Sequence, residues 1–147
     1  MATEEGIERS VFVDSNVFLR YLTNDIPERA SAAEELFRRA AAGEVLLVTS
    51  SMVVAELVWV MESYYGLSRD EVQLRALSVL RMEGLESPEA EILTEALFAY
   101  VEKNVDFVDA YNACWMRERG LTRVATYDRR HLARFAGLSI EPLGERI

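Results

Sequence analysis

The stretch VFVDSNVFLRYL, Val11 to Leu22, joins two apolar runs through an aspartate, a serine and an asparagine. The first run, from Ser10 to Asp14, shows no polar alternation. That is the pattern of a short central strand covered on both faces, as in parallel sheets. The second run reads as a helix from about Val17 to Thr23. A strand passing straight into a helix, with a carboxylate at the junction, suggests β/α alternation and draws attention to what lies at the strand's end.

The rest of the chain continues this rhythm. Pro27 suits the first turn of a helix and Gly43 its exit, and VLLVT, Val45 to Thr49, reads as the second strand. Ser50 or Ser51 can cap a third helix reaching about Tyr65, where Gly66 ends it, and its segment MVVAELVWVM is apolar on nearly every side, the mark of deep packing. SRDE, Ser68 to Glu71, has capping-box spacing and opens a fourth helix to about Arg81. A weak strand is expected at Gly84 to Glu86. Ser87 and Pro88 open a fifth helix to about Glu102, and Phe107 to Arg119 forms a sixth, with Gly120 behind it. Arg123 to Thr126 reads as a strand, Arg129 to Phe135 as a brief helix, and LSIEP as an edge strand. Strands linked by helices long enough to cross over imply a parallel sheet with helices on both faces. The expected fold is therefore α/β, a three-layer α/β/α sandwich around a mostly parallel five-stranded sheet, occupying one domain over residues 10–147 after an N-terminal extension of residues 1–9.

Composition narrows the function classes. The 147 residues carry a net charge of −9, which argues against non-specific phosphate binding over the whole surface without excluding a local site. The first residues, MATEEGIERS, are acidic rather than a basic region leading into an apolar one. No uninterrupted apolar run approaches the roughly 18 residues of a membrane span, so the expectation is a cytoplasmic protein. The single cysteine, Cys114, reads as a small buried side chain. Lys103 is the only lysine among many arginines, a compositional feature from which no function follows.

In open α/β sheets ligands gather at the carboxyl ends of the strands, so acids just past strand ends carry the functional reading. Asp14 closes the first strand, where it reads either as a cap or as a site residue. Glu56 lies inside VVAELVWV, and a buried carboxylate there is costly unless paired or metal-bound; a solvent-facing glutamate is the alternative. In VDFVDAYNA, Asp106 and Asp109 stand three apart on one side of a helix start, Asp106 reading as a cap and Asp109 as facing the crevice. Asp128, in TYDRRH, follows the fourth clear strand, again as cap or site residue. Crowded at one sheet edge, these acids would repel one another, and a cation resolves the conflict. Oxygen ligands without thiolate or histidine select Mg²⁺ or Mn²⁺, a set suited to phosphodiester hydrolysis. Glycine-loop nucleotide motifs are absent, serines lack a nucleophile-elbow context, and the lone histidine, His131, beside two arginines, reads as a solvated or phosphate-facing surface side chain.

The segments VFVDSNVFLRYLTNDIP, SSMVVAELVWVM, DFVDAYNACWMRERG and VATYDRRHLARFAGL together resemble the PIN-domain nucleases, most closely the VapC-type toxin ribonucleases of prokaryotic toxin–antitoxin systems. The similarity runs from about Ser10 to Pro142. It implies an Mg²⁺- or Mn²⁺-dependent endoribonuclease whose catalytic and metal-binding acids are Asp14, Glu56, Asp109 and Asp128. It also implies supporting roles for Ser15, Asn16 and Thr126, beside Asp106. Tyr127 departs from the family's usual phenylalanine, and the extension before the first strand departs from toxins that begin almost directly with it. The resemblance further implies a homodimer and a VapB-type antitoxin whose C-terminal segment occupies the groove. Arg117, Arg119, Arg123, Arg129, Arg130 and Arg134 lie in the final third, and Arg129, Arg130 and Arg134 are the candidates to hold flanking RNA phosphates. A solitary RNA-processing nuclease and a catalytically silent metal-binding or interaction module remain as alternatives. A receiver-type signalling domain fits less well, since it wants a lysine after its last strand. So does a haloacid-dehalogenase-type phosphatase, since Asn16 stands where it needs a second aspartate.

Overall fold

The structure is a computed structural model that describes residues 9–144. The expected N-terminal extension lies outside the described residues except for Arg9, whose carbonyl accepts a hydrogen bond from the Leu46 amide. The chain divides into two compact units, one ending at Ala90 and the other beginning at Glu91.

The first unit contains β1 (Ser10–Phe12), α1 (Ser15–Thr23), α2 (Pro27–Ala41), β2 (Leu46–Val48), α3 (Ser51–Ser63), α4 (Arg69–Leu80) and β3 (Leu85–Glu86). Its three strands pair in parallel in the order β1-β2-β3, with Val11 opposite Leu47 and Leu47 opposite Leu85. Local chemistry sets the helix ends. The Ser50 hydroxyl accepts from the Val53 amide and the Ser68 hydroxyl from the Glu71 amide, each satisfying a donor that the first helical turn leaves free. Pro27 opens α2 because its missing amide hydrogen would have had no helical partner. The core gathers Phe18, Leu47, Val54, Leu57 and Met61, all fully buried, and the Phe18 ring stacks on Phe37 at 5.6 Å between centroids. At the sheet's C-terminal edge, the buried Thr49 hydroxyl donates to the Val13 carbonyl at 2.9 Å. That bond pins the end of β1 just before Asp14.

From Ala90 the chain forms α5 (Ala90–Glu102), α6 (Phe107–Glu118), β4 (Arg123–Val124), a single 3₁₀ turn (Leu132–Arg134) and β5 (Ser139–Ile140). β4 and β5 pair in parallel, Arg123 opposite Ser139. The 3₁₀ turn is clamped to the end of α5: the Arg134 guanidinium donates to the carbonyls of Lys103 and Asn104 at 2.9 and 2.6 Å, and Lys103 Nζ donates to the Arg134 carbonyl.

Several expectations need correction. The single five-stranded sheet is instead a three-stranded and a two-stranded parallel sheet. Alternating elements reveal parallel crossovers but not which strands become neighbours, and here each ladder closes within its own unit. β1 is an edge of its sheet, and it is not covered on both faces: Val11 and Phe12 are 41% and 60% exposed, while Val13 is buried. α1 begins two residues earlier than expected, because Asp14 takes the N-cap position and draws Ser15 and Asn16 into the first turn. The helix expected at Arg129 to Phe135 shrinks to one 3₁₀ turn. The Asp128 carboxylate there accepts from the Arg130 amide and holds the preceding residues in a side-chain-bonded turn. α3 is not packed all round, since Met52 and Trp59 are 79% and 68% exposed.

Candidate functional site

In the first unit, two acids 42 residues apart in sequence are linked through Ser15, whose amide meets Asp14 and whose hydroxyl meets Glu56. Asp14 leaves β1 in extended conformation, and its Oδ1 accepts from the Ser15 amide at 2.7 Å as α1 begins. Ser15 is buried. Its Oγ lies 2.8 Å from Glu56 Oε1 and 3.5 Å from Asp14 Oδ1, so its one proton goes to Glu56 and the Asp14 contact is marginal. Glu56 projects from the second turn of α3 and is exposed, which overturns the premise of a carboxylate buried in an apolar helix. Its carboxylate stays in water and its orientation comes from Ser15. Asn16 is exposed beside this pair and lines, with Val17, Arg20, Arg29 and Leu36, a cleft of about 450 Å³ between α1 and α2.

In the second unit, Asp106, Asp109 and His131 form a group whose potential ligand atoms all lie within 4.8 Å of one another. Asp106 occupies the N-cap position of α6, yet its side chain makes no capping hydrogen bond, contrary to the role expected of it. Asp109, one turn further in, is partly buried, and its Oδ2 lies 3.0 Å from His131 Nδ1. His131 is buried rather than solvated, which corrects the surface reading drawn from its two arginine neighbours. The signal that could have found it is the spacing of His131, Leu132 and Phe135, an apolar face across the turn, all three buried.

Asp128 is exposed and belongs to a local turn: its amide donates to Thr126 Oγ1 at 3.0 Å and its Oδ1 accepts from the Arg130 amide at 2.9 Å. Thr126 thus supports Asp128 directly. Among the arginines of the final third, Arg119 stacks over Trp115, Arg123 pairs with Glu141, and Arg134 is spent on backbone carbonyls. Arg129 and Arg130, the other two candidate phosphate contacts, are exposed, and among the described residues their guanidinium groups have no side-chain partner. Cys114 is buried as expected, and burial pushes its thiol above the usual range.

Among the described residues, no arginine or lysine forms an ion pair with Asp14, Glu56, Asp109 or Asp128. Oxygen donors left without a cationic partner are the donor set a hard divalent ion takes, so the residues present fit Mg²⁺ or Mn²⁺. No helix among the described residues is long and apolar enough to cross a membrane.

A family model described as PIN domain matches residues 11–138, and no curated protein matches the chain. PIN domains are generally metal-dependent nucleases, and the group of Asp106, Asp109 and His131 agrees with that chemistry. With the match spanning both acidic groups and most of the chain, this protein belongs to the PIN-domain family.

Proposed function

We propose that this protein is an Mg²⁺- or Mn²⁺-dependent endoribonuclease, and that it is the toxin of a VapBC-type toxin–antitoxin pair. The observation that carries the nuclease reading is the Ser15 bridge, which holds Glu56 beside Asp14 at the end of a parallel strand while both carboxylates face water.

The proposed metal-binding acids are Asp14 and Asp109, with Glu56 binding metal or orienting water and Asp128 a further candidate ligand, the first unit supplying Asp14 and Glu56 and the second Asp109 and Asp128. A bound divalent ion supplies charge neutralisation at the scissile phosphate and a lower pKa for the attacking water. The protein's own part is orientation. Ser15 limits the rotation of Glu56, which as a carboxylate can accept a proton from water, and the Thr126–Asp128 turn fixes the direction of Asp128. Arg129 and Arg130 are proposed to hold flanking RNA phosphates, where guanidinium groups position the strand without reading its sequence. The toxin assignment rests on the resemblance of the four motifs, and with it come the homodimer, a VapB-type antitoxin and a cytoplasmic location as proposals.

The test is cleavage of structured and unstructured RNAs by purified protein with Mg²⁺, with Mn²⁺ and with chelator, beside Asp14→Asn and Asp109→Asn. Cleavage should require metal and vanish in both variants while their circular dichroism is unchanged. Equal cleavage by either variant would trace the activity to a contaminant, and RNA binding without cleavage would favour the silent interaction module. A small cotranscribed neighbour with a DNA-binding half supports the toxin assignment, and its absence favours a solitary RNA-processing nuclease.

A further inference from the structure

His131 is the chain's one histidine, and the turn that carries it is built to keep it still. Leu132, the first residue of the 3₁₀ turn, and Phe135 just after it are buried, Arg134 grips the Lys103 and Asn104 carbonyls, and the Asp128 turn fixes the approach. The imidazole is thereby placed against the start of α6, with Nδ1 3.0 Å from Asp109 Oδ2, 3.3 Å from the Asp106 amide nitrogen and 3.8 Å from Asp106 Oδ2.

One ring nitrogen cannot serve both nearer neighbours. It either carries a proton and donates to Asp109, or carries a lone pair and accepts from the Asp106 amide. A lone pair facing an ionised carboxylate at 3.0 Å is repulsive, whereas a donated proton there is a charge-assisted bond and the shorter of the two. Nδ1 is therefore the protonated nitrogen. Its bond occupies Asp109 Oδ2 and leaves Oδ1 as the oxygen free to meet a cation.

We propose that His131 is a positioning residue for Asp109: its Nδ1–H holds Oδ2 so that Oδ1 is presented to the divalent ion. This rests on the reading of Asp109 as a metal ligand. It adds a nitrogen donor behind the acid, in the way that ligating carboxylates are themselves held by hydrogen bonds.

With a single histidine, ¹⁵N-histidine labelling of tag-free protein reports on this ring alone. Long-range ¹H–¹⁵N spectra should show Nδ1 protonated and Nε2 bare, and Mg²⁺ should shift the Nδ1 resonance while its proton stays. An Nε2–H tautomer would overturn the proposal. So would loss of the Nδ1 proton on adding metal, which would make the ring a direct ligand, or an unmoved resonance in protein that calorimetry shows to bind Mg²⁺.

Two variants separate positioning from packing. His131→Phe keeps the buried volume and removes the donor; His131→Asn keeps an N–H near the Nδ1 position. Mn²⁺ affinity should fall about tenfold or more in the first and recover largely in the second, with kcat following and the KM for RNA unchanged. Unchanged Mn²⁺ affinity in a folded His131→Phe protein refutes the inference, and should that variant not fold, the spectra and the Asn variant decide. Metal-linked shifts at His131 in a protein that cuts no RNA would sink the nuclease reading and leave this one standing.

Discussion

Gly84 precedes β3 at φ +83, and a Cβ built on it would lie 2.6 Å from the Ala40 carbonyl carbon and 2.9 Å from the Ala40 Cβ. Ala40 is buried in the last turn of α2, and its carbonyl already accepts from the Gly43 amide, so it has little room to yield. The Gly84 carbonyl in turn accepts from Leu47 in the central strand. Gly84→Ala should therefore carry two costs, about 1–2 kcal/mol for a left-handed backbone with a Cβ and about 1–3 kcal/mol for the forced shift of α2 against β3. Gly43→Ala is the matched control, with φ +78 and nothing within 4 Å of its added Cβ. It carries the first cost only. The loss of unfolded-state freedom is common to both substitutions and cancels in the comparison. Urea unfolding followed by far-UV circular dichroism should place the Gly84→Ala midpoint about 1 M below that of Gly43→Ala, taking an m-value of about 2 kcal/mol/M. Coincident midpoints would show that α2 and β3 do not make this close approach, and the account of how β3 joins β2 would fail with it.

Two further outcomes follow from the hydrogen bonds around α1. Asp25 is held down from its ordinary 3.8 to about 2, first by the Arg20 guanidinium and then by the Tyr65 and Thr23 hydroxyls. A lowered folded pKa contributes stability above pH 3.8 that is lost as pH falls toward about 2. Asp25→Asn should flatten the acid limb of the stability profile in that window, by a small amount because the pair faces solvent; an unchanged profile would dismiss the pair as a surface coincidence. Ser15→Ala removes the donor that orients an exposed carboxylate. It should cost roughly 1 kcal/mol or less in urea, since water replaces the bond at Glu56, while lowering metal-dependent RNA cleavage roughly tenfold or more. Full activity in Ser15→Ala would mean that Glu56 needs no such guide.

Much of the architecture was legible because it depends on short-range terms. The Ser68 cap with Glu71, Pro27 at the start of α2 and the left-handed exits at Gly43 and Gly66 each involve residues within four positions of one another. Acids at strand ends were legible for the same reason, and their ordered spacing was enough to indicate the family that the match over residues 11–138 establishes. Burial was less legible. Glu56 looked buried because its sequence neighbours are apolar, yet those neighbours, Leu57 and Val58, turn inward and leave it in water. His131 looked exposed because two arginines precede it, yet Leu132 and Phe135 draw its turn into the interior.

The amino-acid sequence by itself determined the order of helices and strands, their capped ends, and the presence of carboxylates where strands stop. Hydrogen bonds, dipoles and side-chain periodicity act over one or two turns and are written in adjacent residues. Only the tertiary structure decided that the strands divide into a set of three and a pair. It likewise decided that Ser15 reaches Glu56 across 41 positions and that His131 reaches Asp109 across 22. Those contacts arise when whole elements bury their apolar faces together, a choice made by the sum of many distant side chains, and no local pattern encodes it.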